Sequence, residues 1–163
     1  MNCDRGRQRQ RGFSLIELLA AAAILGVLAS VAVPVVATTM RREKERELRQ
    51  ALREIRQGID AYRQAVVSGH IDPQPTDSGY PHSLTELVVG VPDAKNETGP
   101  KLYFLRRLPR DPFFTDRKAA PADTWGKRRY GSPADAPQAG ADVFDVYSLS
   151  PLEGMNGIPY AQW

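Results

Sequence analysis

Residues 5–36 read RGRQRQRGFSLIELLAAAAILGVLASVAVPVV, and one glutamate, Glu17, stands inside an apolar run that begins just after a glycine, Gly12. From 18 to 37 no residue is charged. A helix of that length reaches about 30 Å, the thickness of the hydrocarbon core of a bilayer. The arginines that precede it predict a cytoplasmic N-terminus. A cleaved secretory signal peptide has the same basic start and apolar middle. Two features argue against it. Glu17 falls inside what would be the apolar region, and the helical pattern continues past the run.

The continuation is RREKERELRQALREIRQGIDAYRQAV, residues 41–66. Leu48, Leu52, Ile55, Ile59, Tyr62 and Val66 recur at steps of four and three, which makes one apolar stripe on a helix. The opposite face is Arg, Glu and Gln. The two segments together predict a helix of about 50 residues, roughly 75 Å long. Its first half is apolar all round and its second half on one side. Pro34 should kink it or loosen its backbone hydrogen bonds, and Gly26 lowers helix propensity.

Residues 67–163 are rich in Pro, Gly, Asp and aromatics. Ser68-Gly69 should end the long helix. YPHSLTELVVG, residues 80–90, reads as a short helix, with Ser83 and Glu86 at capping-box spacing. Strands are expected over 124–130 and 142–148, with a further short one over 158–163. The predicted fold class is α+β: a long N-terminal helix, its first half transmembrane, packed by a small antiparallel sheet head.

Composition narrows the function. The net charge of the 163 residues is +3. Arg5, Arg7, Arg9 and Arg11 against Asp4 account for all of it. A nucleic-acid reader would carry the excess on its folded domain, so no nucleic-acid partner is expected. Cys3 is the only cysteine, which excludes an intrachain disulfide. His70 and His82 have no metal-ligand spacing. Asn96-Glu97-Thr98 matches a glycosylation sequon, a short motif of little specificity. The chain has no phosphate loop, nucleophile triad or carboxylate pair, so no catalytic residue is expected and an enzyme is not.

RG-FSLIELLAAAAILGVLASVAVP resembles the leader and helix of the type IV pilin and type II secretion pseudopilin superfamily. YPHSL, LRRLPRDPF, DTWGKRRY and DVFDVYSLSP are similar to segments of its major, G-type pseudopilins. The resemblance implies cleavage between Gly12 and Phe13 by a prepilin peptidase, and N-methylation of Phe13. It implies assembly roles for Glu17, Gly26 and Pro34. Glu17 would meet the free amine of a neighbouring subunit's first residue and so set the register; the alternative is a charge held at the membrane interface. Between Gly26 and Pro34 the helix would melt in the filament; the alternative is a packing kink.

The implied layout is a cleaved basic leader (1–12), a transmembrane and filament-core helix (13–40), an amphipathic continuation (41–66) and a periplasmic α+β head (67–163). The implied setting is a single-pass inner-membrane protein assembled into a periplasmic pseudopilus that drives protein export. Its partners would be further copies of itself, minor pseudopilins, the prepilin peptidase and an inner-membrane assembly platform. Two other functions are open to such a chain: a type IV or competence pilin, or a membrane-anchored periplasmic enzyme or binding protein. G-type relatives hold calcium in the terminal loop. Here that loop offers only Glu153 and Asn156 as side-chain ligands, and the missing aspartates argue against the ion.

Overall fold

The computed structural model describes residues 14–73, 78–96 and 98–163, and only the backbone within 31–35. The chain divides into two compact units, Met1–Arg41 and Arg42–Trp163. The helix α1, Leu15–Val67, contributes to both.

Among the described residues of the first unit, α1 has no core of its own. Leu15, Ile16, Leu18, Leu19, Ile24, Leu25, Val27 and Leu28 are each more than half exposed. The helix runs unbroken through Pro34. Among the described residues, no helix is long and apolar enough to cross a membrane. The side chains of 31–35, which the expected span needs, lie outside the described residues.

In the second unit the apolar stripe finds its core. Leu48, Leu52, Ile55, Ile59 and Tyr62 are buried, in one cluster with Leu84, Leu87, Leu105, Trp125, Val143, Val146 and Tyr160; Val66 packs half-buried against it. Each fully buried Leu or Ile stabilises the head by about 1.5–3 kcal/mol. Ala51 and Gly58 are small residues buried on the flanks of the stripe. A Cβ at Gly58 would come within 3.0 Å of the Leu105 side chain, so the loop around Leu105 packs directly on the helix backbone.

The helix ends where Ser68-Gly69 predicts. Gly69 takes φ 73°, its N–H donates to the Val66 carbonyl (3.0 Å), and the His70 N–H donates to the Ala65 carbonyl (2.8 Å). This pair of bonds is a Schellman closure around a left-handed residue. The short helix α2, Glu86–Val89, covers only the end of its expected range. The capping box expected at Ser83 and Glu86 does not form: the N-cap is Thr85, without a side-chain cap bond, and Glu86 Oε2 accepts instead from the His82 N–H (3.2 Å).

Two strands, β1 (Trp125–Arg128) and β2 (Asp145–Ser148), pair antiparallel with Trp125 opposite Ser148 and Arg128 opposite Asp145. Both are shorter than expected because other partners take the ladder donors. Thr124 closes a 3-10 turn, Pro121–Thr124, through its own hydroxyl to the Pro121 carbonyl (2.7 Å). The Arg129 N–H goes to Gln138, Tyr130 N–H to the Asp142 carboxylate, and Val143 N–H to Pro81. The expected strand over 158–163 is instead a 3-10 turn, Tyr160–Gln162. Pro159 has no N–H to give a ladder, and only an isolated bridge joins it to Glu153.

Candidate functional site

Gly12 and Phe13 lie outside the described residues. Glu17 is in the first turn of α1 and exposed, and its N–H donates to the Ser14 carbonyl (3.0 Å). A carboxylate in that turn also complements the helix dipole. Gly26 stands in open space, so a Cβ there would meet nothing within 4 Å. Pro34 cannot donate to the Ser30 carbonyl, the bond that its position in the helix requires. The Ser30 hydroxyl bonds back to the Val27 carbonyl (2.7 Å). Among the described residues, Glu17 and Gly26 are both exposed and nine positions apart on α1, so the first unit does not bring these two predicted assembly residues into contact.

The head holds the second cluster. Glu45, only 6% exposed, is on α1. Its Oε1 accepts from the Met155 backbone N–H (2.8 Å) and from the Tyr160 hydroxyl (3.0 Å). A carboxylate from the helix thus fastens the terminal loop at two points. Tyr160 stacks on Phe113 (4.2 Å) and meets Trp163 edge-on (4.9 Å). Arg49 lies 4.2 Å over the Trp163 ring. Arg56 donates to Asp145 (2.8 Å) and to the Trp163 carbonyl (2.8 Å), and Arg128 takes the other oxygen of Asp145 (3.0 Å).

Glu153 and Asn156, the calcium candidates, are both exposed in this loop. Asn156 turns its Oδ1 to the Ile158 N–H (3.1 Å), an Asx-type turn. Among the described residues no group of three acidic, His or Cys side chains could hold a metal. Glu45 is the residue that sequence reasoning missed. It lies three residues before Leu48, on the extrapolated apolar stripe, and that position was its signal.

The motif segments of the head meet around Asp111, which is buried. Its carboxylate accepts from the Ser148 hydroxyl (2.5 Å) and the Phe113 N–H (2.7 Å), while its own N–H donates to the Thr124 hydroxyl (3.2 Å). The Trp125 indole donates to the Pro109 carbonyl (2.9 Å). LPRDPF, DTWG and DVYSLSP are therefore one polar staple holding the loop 105–124 to the sheet. His70 and His82 serve structure: His70 bonds Asp93 (2.9 Å) and His82 bonds the Ala141 carbonyl (3.1 Å). The His70 contact, with the Lys95 N–H, holds the Asp93 carboxyl below its usual range.

Over residues 7–33 the chain matches the family described as the prokaryotic N-terminal methylation motif. It is 30% identical over 152 residues to the type II secretion system core protein G of Pectobacterium carotovorum subsp. carotovorum, covering 91% of this chain and 80% of that protein. It is 32% identical over 111 residues to the protein of that name from Klebsiella pneumoniae, covering 67% and 73% of the two chains. The Escherichia coli K12 protein of that name is 32% identical over 115 residues, 69% of this chain and 72% of its own. No solved structure matches the chain.

Proposed function

The chain belongs to the family of the type II secretion system core protein G, and on that premise we propose that it is a structural pseudopilin, a subunit that polymerises into a periplasmic pseudopilus for protein export. One observation carries the reading. The methylation motif over 7–33 and the likeness to core protein G, which runs on through the head, occur in a single chain. A type IV or competence pilin would share the leader and helix, but the names of all three relatives favour secretion. The cluster around Glu45 and the staple around Asp111 have structural roles, with no reacting pair between them.

The finer account follows from chemistry. Cleavage falls between Gly12 and Phe13, and methylation on the Phe13 amine. The apolar rod of α1 is stable only where lipid or other helices cover it, which makes it both membrane anchor and filament core. The head then lies in the periplasm. An ionised carboxylate costs about 2.5–3.5 kcal/mol at mid-bilayer and less toward the interface, so a partner stabilises Glu17 at the edge of the span. Phe13 and Glu17 are four residues apart in the sequence. An axially shifted neighbour can therefore place its amine against this carboxylate and fix the register. Minor pseudopilins and the inner-membrane assembly platform complete the set of partners.

Mass spectrometry of the membrane-derived protein tests this reading. The chain should begin at methylated Phe13, and Gly12→Leu should leave the full-length precursor. A wild-type chain that keeps Met1, or begins elsewhere, overturns the assignment. Glu17→Ala should insert yet polymerise poorly, and Glu17→Lys worse. Wild-type fibre yield from both would leave Glu17 as an interface charge only.

A further inference from the structure

In the head portion of α1, charge is sorted by face. Arg42, Arg46, Arg49, Arg53 and Arg56 recur at steps of four and three, and each is followed immediately by Glu or Gln: Glu43, Glu47, Gln50, Glu54 and Gln57. The helix thus carries an apolar stripe in the core, an arginine row beside it, and an acidic-amide row about 100° further round. Arg42, Arg46, Arg49 and Arg53 are exposed, as are Glu43 and Glu47, while Arg56 and Glu54 are half-buried.

This arrangement is unfavourable for an isolated head. Successive arginines in the row are i,i+3 or i,i+4 neighbours, so each repels the next, whereas alternating signs would attract. Within the described residues the row is only partly compensated. Arg56 is held by Asp145, Arg49 lies over Trp163, and Arg46 reaches Glu43 at 3.4 Å between two largely exposed side chains. Arg42 and Arg53 then remain for a partner, with Arg46 held only by its exposed pair to Glu43. Glu43, Glu47 and Glu54 repeat their spacing one residue on.

We propose that the arginine row of one copy docks on the acidic row of the next, as a heterologous contact between the helices of neighbouring heads in the assembled fibre. The proposal rests on the pseudopilin reading and adds the surface that joins the heads. A head-to-tail contact of this kind leaves one row free at each end, so it propagates as a fibre requires, whereas a two-fold pair that satisfied both rows at once would close as a dimer. On the loop side, the acidic row borders a groove of about 690 Å³ that also contains Lys44, Arg107, Arg110 and Arg117. Arg110 is spent on the carbonyls of Ala119 and Asp116. Arg107 and Arg117 oppose an incoming guanidinium inside the groove. The contact therefore lies on its exposed rim, at Glu43 and Glu47, ahead of Glu54.

Complementary charge reversal in the full-length chain tests this. Variant one carries Arg42→Glu, Arg46→Glu and Arg53→Glu; variant two carries Glu43→Arg, Glu47→Arg and Glu54→Arg. Both should be processed to methylated Phe13 and should melt cooperatively in detergent. Alone, each should give fibre yields down about tenfold, because both rows then have one sign. Co-expressed, they should assemble with alternating subunits to near the wild-type yield. Milder Arg→Gln and Glu→Gln triples, expected to give intermediate yields, serve if a reversed variant does not fold. Full yield from a folded single-row variant overturns the contact, and so does the absence of rescue on co-expression. Salt-sensitive retention of the wild-type chain on phosphatidylglycerol vesicles, lost in the Arg→Gln triple and without rescue, would reassign the arginine row to a lipid surface. Absence of processing would count against the pseudopilin reading instead.

Discussion

Glu45 puts a carboxylate on the helix face that otherwise makes the core, three residues before Leu48. Such a position is tolerable only if the oxygen is fully used. Here one oxygen receives both the Met155 N–H and the Tyr160 hydroxyl. Removing it takes this acceptor from the Met155 N–H and the Tyr160 hydroxyl beside a buried ring. Hydrogen bonds to a charged group contribute about 1.5–3 kcal/mol each, so Glu45→Ala should lower head stability by about 3 kcal/mol in urea unfolding. Glu45→Gln keeps an acceptor and should lose about half of that. A double-mutant cycle with Tyr160→Phe should show clear coupling; strict additivity would mean that the contact contributes nothing. The position was legible as a charge on an apolar stripe. Its partners were not, because they lie 110 and 115 residues away in a loop without periodicity.

Among the elements, the helix end gives the cleanest prediction. At Gly69 an added Cβ would meet only Lys95 at 3.7 Å, so space is no obstacle and the φ of 73° is. Gly69→Ala should therefore cost about 1–2 kcal/mol, seen as a lower melting temperature with no change in the helical circular dichroism of the intact chain. An unchanged melt would show that the Schellman bonds do not limit stability. This helix was readable from sequence because its apolar period of 3.6 holds from Leu48 to Val66 and a glycine terminates it. The sheet was readable in place but not in extent. Strand ends depend on which carbonyl receives each N–H, and here Gln138, Asp142 and Pro81 outcompete the ladder. The terminal segment looked like a strand because Ile158, Tyr160 and Trp163 are β-formers. Pro159 and the pull of Glu45 on Tyr160 turn it into a 3-10 turn instead.

At the scale of the molecule, the division at Arg41/Arg42 separates two compact units to which one helix contributes. The first unit exposes its described apolar side chains, while the second buries the stripe from Leu48 to Tyr62 in a core with α2, both strands and the terminal loop. A chain beginning at Arg42 should consequently be soluble and unfold cooperatively, since it loses no core residue. Aggregation without a cooperative melt would mean that the stripe seeks other helices instead. The same truncated chain decides how the terminal loop is held. An ion that binds only the folded state stabilises by about 2.7 kcal/mol at a hundredfold excess over Kd. Glu153 and Asn156 supply too few oxygens for the six to eight that calcium takes, and the loop already has Glu45, Arg56 and the Tyr160–Trp163 rings as anchors. Millimolar calcium should therefore barely move the melting temperature, and a chelator should not lower it. Glu45→Ala, by contrast, should lower it with or without the ion. A large drop in chelator that Glu153→Ala abolishes would show that backbone carbonyls complete a calcium site, and that Glu45 fastens a loop the ion already holds.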